Sequence, residues 1–296
     1  PTITCTSSNV VQTVLQAFAE QPDLHLWFGP DTYMGANLQA LFENLCNQPD
    51  GLIAELHPAH SQTSIRALLP RFHYFRQGNC IVHHMFGSDV VATVRAHYPA
   101  AHITAHLEVP GEMFTLALEA SRDGRGVVGS TSNILNYISD QVKQAGPETH
   151  HLQFMLGTEA GMITAIVRQL RQLLATSGRT DLEVEIVFPV ASEAVAATDD
   201  PSLPVVPGVL AGEGCSTAGG CATCPFMKMN SLDAVLDILG SLEQRRDALK
   251  DHWPRAYQET INGQTVAALG SQPILYMRGF QHDKALPKGL LAAIRG

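Results

Sequence analysis

Charge is scarce in this sequence and aromatic side chains are scarcer: 16% of its 296 residues are charged and 6% are aromatic. Lysine and arginine number 19 against 28 acidic residues, for a net charge of −9. A nonspecific grip on nucleic acid needs a basic face that displaces phosphate counterions, so no nucleic-acid partner is expected. Any anion bound here must be met by local devices. No apolar run approaches the roughly 20 residues that cross a bilayer. The first residues, "PTITCTSSNV", carry no basic segment followed by an apolar one. The expectation is a soluble protein without a membrane partner. Cysteine is also sparse, six residues at uneven spacing, too few for a secreted disulfide framework and in keeping with a reducing compartment. Cys5 and Cys46 lie among apolar neighbours and read as small buried hydrophobes.

What is present is apolar mass: 45% of the residues are hydrophobic, enough for a sizeable core, and the length suggests about two domains. One unit recurs, a short β-rich run, a loop of small and polar residues, then an amphipathic helix. It appears as "TITC-TSSN-VVQTVLQAFA", "LHLWF-GPDTYMGAN-LQALFENL", "HITAHLE-VPGE-MFTLALEA", "GVV-GSTSN-ILNYISDQV" and "LQFML-GTEAG-MITAIVRQLRQLL". Alternation of this kind predicts an α/β fold of parallel sheets flanked by helices. In such folds ligands collect beyond the carboxyl ends of the strands, where these loops would lie. Residues 46–71 read as a helical insertion ending at Pro70, and 190–214 as a long loop rich in Pro, Ala and acidic residues. The tail from "TVAALGSQPIL" onward carries weak signals and is not assigned.

Three kinds of motif carry chemistry. The loops "TSSN", "GSTSN" and "GTEAG" sit where helices begin, so unpaired amides, hydroxyls and the helix dipole converge on one spot. Each serves either as an ordinary N-cap or as an anion site. Cys80 lies three residues before His83 in "QGNCIVHH", a spacing that suits metal ligation or a nucleophile with its base, and suits a buried structural pair equally. His106 and Glu108 alternate on an apparent strand and so share a face, where they are either an acid/base pair or a surface ion pair. The loop "GEGCSTAGGCATCPFMKMN" concentrates Cys215, Cys221 and Cys224. It supplies three thiols without a second paired arm, which favours a soft-metal site, iron–sulfur or zinc, over a disulfide.

Taken together, "TSSNVVQ", "GPDTYMGAN", "GNCIVHHMF", "HLEVPGEMF", "GVVGSTSNIL", "LGTEAGMI" and "CATCPFMKMNSL" make the chain resemble the quinolinate synthase family, and its plant and algal type in particular. The resemblance implies a transferase of NAD biosynthesis that condenses iminoaspartate with dihydroxyacetone phosphate to quinolinate, losing phosphate and water. It implies repeated three-layer α/β domains about a pseudo-threefold axis and a [4Fe-4S] cluster that acts as a Lewis acid through an open iron site. By motif, Cys80 and Cys224 match cluster ligands, which leaves Cys215 and Cys221 without that role, and Met227 would lie beside the cluster. Glu108, His83 and His106 match catalytic positions. Ser7, Asn9, Ser130 and Thr131, with Thr158 and Glu159, match loops that hold substrate carboxylate or phosphate.

The resemblance further implies that 1–78 is the family's second domain, 79–232 its third and 233–296 a helical tail. The first domain, with the third cluster cysteine, has no counterpart in the sequence, so the chain by itself is expected to be inactive. A functional link to L-aspartate oxidase, a homodimer, and a cytoplasmic or plastid location are compatible with the resemblance. Two other readings stay open: a zinc-stabilised α/β module that binds dicarboxylates or phosphates, and a degenerate paralogue kept as a scaffold.

Overall fold

The computed structural model describes residues 1–78, 80, 82–189, 196–197, 205–206, 232–244, 247, 249–250 and 257–296. The chain divides into two compact units, Asp23–Pro225 and the pair of segments Pro1–Pro22 and Phe226–Gly296.

The larger unit is α/β. Strand β1 (Leu26–Phe28) pairs in parallel with β2 (Phe72–Tyr74), with Leu26 opposite Phe72. Between them run α2 (Thr32–Leu45), α3 (Asp50–Leu56) and α4 (Gln62–Leu68). Residues 46–71 thus hold two short helices, and a short 3₁₀ turn, Leu69–Arg71, takes in Pro70. Ile53, Ile65 and Leu68 bury the insertion's apolar face, and Cys46 is buried as expected. Ser61 and Ser64 form a reciprocal capping box that starts α4.

A second sheet carries β3 (His102–His106), β4 (Gly126–Gly129), β5 (His151–Gly157) and β6 (Glu183–Val187), all parallel, in the order β4-β3-β5-β6. Its crossovers contain α6 (Gly111–Arg122), α7 (Thr131–Gln144) and α8 (Ile163–Ser177), while α5 (Ser88–His97) leads into β3. Period-two alternation along β5 sends Phe154 and Leu156 to one face, where they pack with Ile134, Ile138 and Val142 of α7 and Ile166 and Leu170 of α8. Those helical residues recur every four positions, which is why one stripe of each helix is dry. Each fully buried member contributes about 1.5–3 kcal/mol relative to exposure. The opposite face is covered by α6, whose Met113 lies against Gly157; a Cβ at Gly157 would collide with the Thr104 carbonyl, so only glycine fits there.

Register settles where the loops gather. His106 pairs with Gly129 and Ala105 with Gly157, so β3, β4 and β5 end at one edge. The turns that follow carry Glu108, Ser130 and Thr131, and Thr158 and Glu159.

The smaller unit contains α1 (Val10–Glu20), α9 (Leu232–Gln244), α10 (Val266–Asp283) and α11 (Lys288–Arg295), with a two-residue hairpin at Thr260–Ile261 and Gln264–Thr265. The unassigned tail is thus mainly helical, and α10 continues through Pro273. The strand expected at "TITC" does not form: the Thr4 amide and hydroxyl both donate to the Pro273 carbonyl, each at 3.2 Å, in place of a ladder partner. Cys5 is half-buried there, and burial pushes its thiol up to about 11. Among the described residues no helix is long and apolar enough to cross a membrane.

Candidate functional site

Four side chains of the larger unit converge beyond the carboxyl ends of β2 and β3. Cys80 is half-buried in the loop after β2, and His83 opens the single 3₁₀ turn His83–Met85 that follows. His106 is the last residue of β3, and Glu108 sits two residues on. Ligand atoms of Cys80, His83 and Glu108 all lie within 4.8 Å of one another. His106 joins by stacking on His83, with ring centroids 4.5 Å apart and planes at 8°. The predicted strand alternation of His106 and Glu108 needs correcting in one respect: β3 ends at His106, and a turn brings Glu108 back.

The two imidazoles hold different charge. Glu108 Oε2 is 3.0 Å from Nδ1 of His83 and 3.8 Å from Nδ1 of His106. Burial works against an imidazolium at His83, but Cys80 and Glu108 outweigh it and raise His83 to about 9. At His106 burial and the neighbouring His83 charge prevail over Glu108 and lower it to about 4. The geometry agrees, because the Glu108 amide donates to Nδ1 of His106 at 3.3 Å, occupying the lone pair a second proton would need. Glu108 is opposed by its own burial, yet its close contact with His83 and that ring's charge hold it below the usual carboxylate range.

His83 is only 6% exposed, and the Glu108 oxygen stands at ion-pair distance without hydrogen-bond alignment, so both ring nitrogens lack an aligned partner. Buried polar atoms are almost always hydrogen-bonded. Ring nitrogens without an aligned partner among the described residues, beside a thiol and a carboxylate, make this the candidate site for a metal or a substrate. Thiol, imidazole and carboxylate together suit a soft or borderline transition metal better than magnesium or calcium.

The other expected residues fall in several places. Ser130 is buried and caps α7; its hydroxyl donates to Asn133 Oδ1 at 2.6 Å and accepts from the Asn133 amide at 3.3 Å. Thr131 opens the same helix, half-buried. Thr158 is fully buried with no hydrogen-bond partner for its hydroxyl, and Glu159 precedes a 3₁₀ turn at Ala160–Met162. Ser7 and Asn9 belong to the smaller unit, where Asn9 Oδ1 accepts from the Thr6 amide at 2.7 Å and its Nδ2 is buried without a partner. Cys215, Cys221, Cys224 and Met227 lie outside the described residues.

Two further residues, Asp31 and Asn37, support the site. Asp31 caps α2 and reaches the Cys80 amide, and buried Asn37 holds the carbonyls on either side of Glu108. A helix-capping Asp is legible from sequence. A polar residue on the buried stripe of a helix was the one signal for Asn37.

These features define an α/β protein with a thiol–imidazole–carboxylate cluster at the carboxyl edge of its parallel strands. Comparison with known proteins narrows that class. Residues 2–260 match the sequence model of NadA, the quinolinate synthetase A protein, and the chain belongs to that family. It is 52% identical over 307 residues to a chloroplastic quinolinate synthase of Nicotiana tabacum, covering 99% of this chain and 43% of the relative. A chloroplastic quinolinate synthase of Arabidopsis thaliana is 50% identical over 98% of this chain and 42% of its own length. A quinolinate synthase of Prochlorococcus marinus is 25% identical over 81% of this chain and 47% of its own length. The chain thus spans less than half the length of these relatives.

Proposed function

We propose that this chain forms part of a quinolinate synthase, condensing iminoaspartate with dihydroxyacetone phosphate to quinolinate in NAD biosynthesis. The observation that carries the reading is the Cys80, His83 and Glu108 cluster, found in a chain about half identical to plant enzymes of that name. A [4Fe-4S] cluster held by Cys80, Cys224 and a thiolate from outside this chain would supply Lewis acidity for the loss of water. The half-buried Cys80 thiol, beside an imidazole and a carboxylate, fits such a group.

The chain's own residues divide the proton work. His83 is charged at neutral pH and lies against an ionised Glu108. It can protonate a departing hydroxyl while the carboxylate receives a proton from carbon or nitrogen. His106 is neutral with Nδ1 engaged, so it offers a donor from Nε2. Ser130, Thr131, Thr158 and Glu159 share the strand edge of the larger unit and would meet anionic groups of the substrates through hydroxyls, amides and helix termini in place of scarce Lys and Arg; Ser7 and Asn9, before α1 of the smaller unit, keep the same proposed role on the resemblance alone. Iminoaspartate calls for an oxidase acting on L-aspartate as supplier. Chloroplastic relatives make a plastid the reading for a plant or algal source.

The test uses a complete enzyme, this chain within a polypeptide of its relatives' length, loaded anaerobically with iron and sulfide. Supplied with both substrates, it is expected to release quinolinate and phosphate in equal amounts, read by mass spectrometry and phosphate assay. Cysteine, histidine and carboxylate also make a sound zinc set. Stoichiometric zinc without sulfide or quinolinate would establish the binding-module reading in place of this one.

A further inference from the structure

The motif "GPDTYMGAN" supplies no residue to the cluster of Cys80, His83 and Glu108, yet it touches two of the loops that carry them. Asp31 is the N-cap of α2. One carboxylate oxygen accepts from the Met34 amide at 2.6 Å and the other from the Cys80 amide at 2.8 Å, 49 positions away. The same loop is fixed again one turn back, where the Thr32 amide donates to the Gly78 carbonyl at 2.7 Å. Gly78 has φ +130, and a Cβ there would lie 2.6 Å from the Pro30 carbonyl, so the approach is available to glycine alone.

Two turns further along the helix, Asn37 is 2% exposed. Its amide nitrogen donates to the Leu107 carbonyl at 2.9 Å and to the Val109 carbonyl at 2.7 Å, one on each side of Glu108. One helix therefore grips the Cys80 loop at its start and the Glu108 turn at its middle. Helical geometry fixes the distance between those grips, with a rise of about 1.5 Å per residue.

We infer that α2 is a strut whose two clamps, Asp31 and Asn37, set the spacing of Cys80 and Glu108; both are positioning residues. Hydroxyl-free, full use of both Asp31 oxygens also explains why a carboxylate stands there: a serine or threonine cap would satisfy α2 and leave the Cys80 amide without its acceptor. The bearing on catalysis rests on the reading of Cys80 and Glu108 given above. The clamps do not, and they are tested without iron or turnover.

Asp31→Asn separates the two duties. Asparagine caps a helix as well as aspartate does, but its second position is an NH₂ that meets the Cys80 amide donor to donor. In the iron-free chain the melting temperature is expected to fall by only about 2–4 °C while iodoacetamide alkylation of Cys80, located by peptide mass spectrometry, runs about fivefold faster through local opening of one lost hydrogen bond. Asp31→Ala is expected to show the same acceleration together with a lower melting temperature. Asn37→Ser, too short to reach both carbonyls, is expected to speed amide exchange in the peptide 106–110 while peptides of β5 and α8 keep their protection. Unchanged Cys80 alkylation in Asp31→Asn, or exchange in Asn37→Ser that rises evenly over all peptides, overturns the strut. Neither readout depends on quinolinate, so a failed clamp and a failed enzyme reading are told apart.

Discussion

Glu108→Gln in the complete enzyme is expected to lower the rate of quinolinate formation by about 10²–10⁴-fold, the span of a lost general acid–base group, with iron and sulfide content at the parent level. The substitution is nearly isosteric, so packing persists. What disappears is the charge 3.0 Å from His83. His83 owes its rise to about 9 to Cys80 and Glu108 acting against burial. Without the carboxylate its affinity for the proton falls, and the acid and the base of the pair are lost in one change. The pH dependence of stability carries the same signature. A histidine raised in the folded state contributes stability that is complete below its unfolded value of about 6.5 and is lost as pH climbs through about 9. In Glu108→Gln that loss begins at lower pH. Glu108, held low by His83 in the folded state, adds stability above its unfolded value that is lost as pH falls. His106 works the other way on the acid side: lowered to about 4 when folded, it favours the unfolded chain as pH drops below about 6.5. Thermal midpoints from about pH 3 to 10, with imidazole NMR of the iron-free chain, read all three. A Glu108→Gln enzyme with parent turnover would remove Glu108 from the mechanism.

Asn37→Ala is the substitution expected to cost most in stability outside the apolar core. It deletes one donor group and strands two buried carbonyls, those of Leu107 and Val109. An unsatisfied buried polar group costs about 1–3 kcal/mol, so the pair places the loss at roughly 2–6 kcal/mol. Denaturant unfolding of the 296-residue chain checks it, with Gln39→Ala as a control: Gln39 reaches only Glu43, on the exposed face of the same helix. Alanine is the better helix former at both positions, so a loss at Asn37 no larger than that at Gln39 would mean that the grip on the Glu108 turn contributes nothing.

The parts of this fold that sequence made legible are those whose cause is local. Ile134, Ile138 and Val142 state the α7 stripe outright, and Ser130 with Asn133 announces its start. Cys80 and His83 are close in sequence, so their meeting in space needs little from the rest of the chain. The misses have non-local causes. "TITC" has the composition of a strand, but Thr4 is taken by the Pro273 carbonyl, 269 positions away. The tail carries weak sequence signals, yet α10 forms there and passes through Pro273. The Glu108 carboxylate reaches His83 because the chain turns after His106, and Asn37 helps fix that turn from 70 positions upstream. Asp31 was readable as a cap. Its second bond, to a loop 49 residues on, was not. The three-thiol stretch at 215–224 lies outside the described residues, and its role rests on the resemblance alone.

That stretch holds the most direct test. In the complete enzyme, purified without oxygen, iron and acid-labile sulfide per chain are measured for Cys80→Ala, Cys221→Ala and Cys224→Ala beside the parent. The account predicts that Cys80→Ala and Cys224→Ala lose the cluster while Cys221→Ala keeps it. Equal loss from Cys221→Ala and Cys224→Ala, or parent iron content in Cys80→Ala, would contradict it.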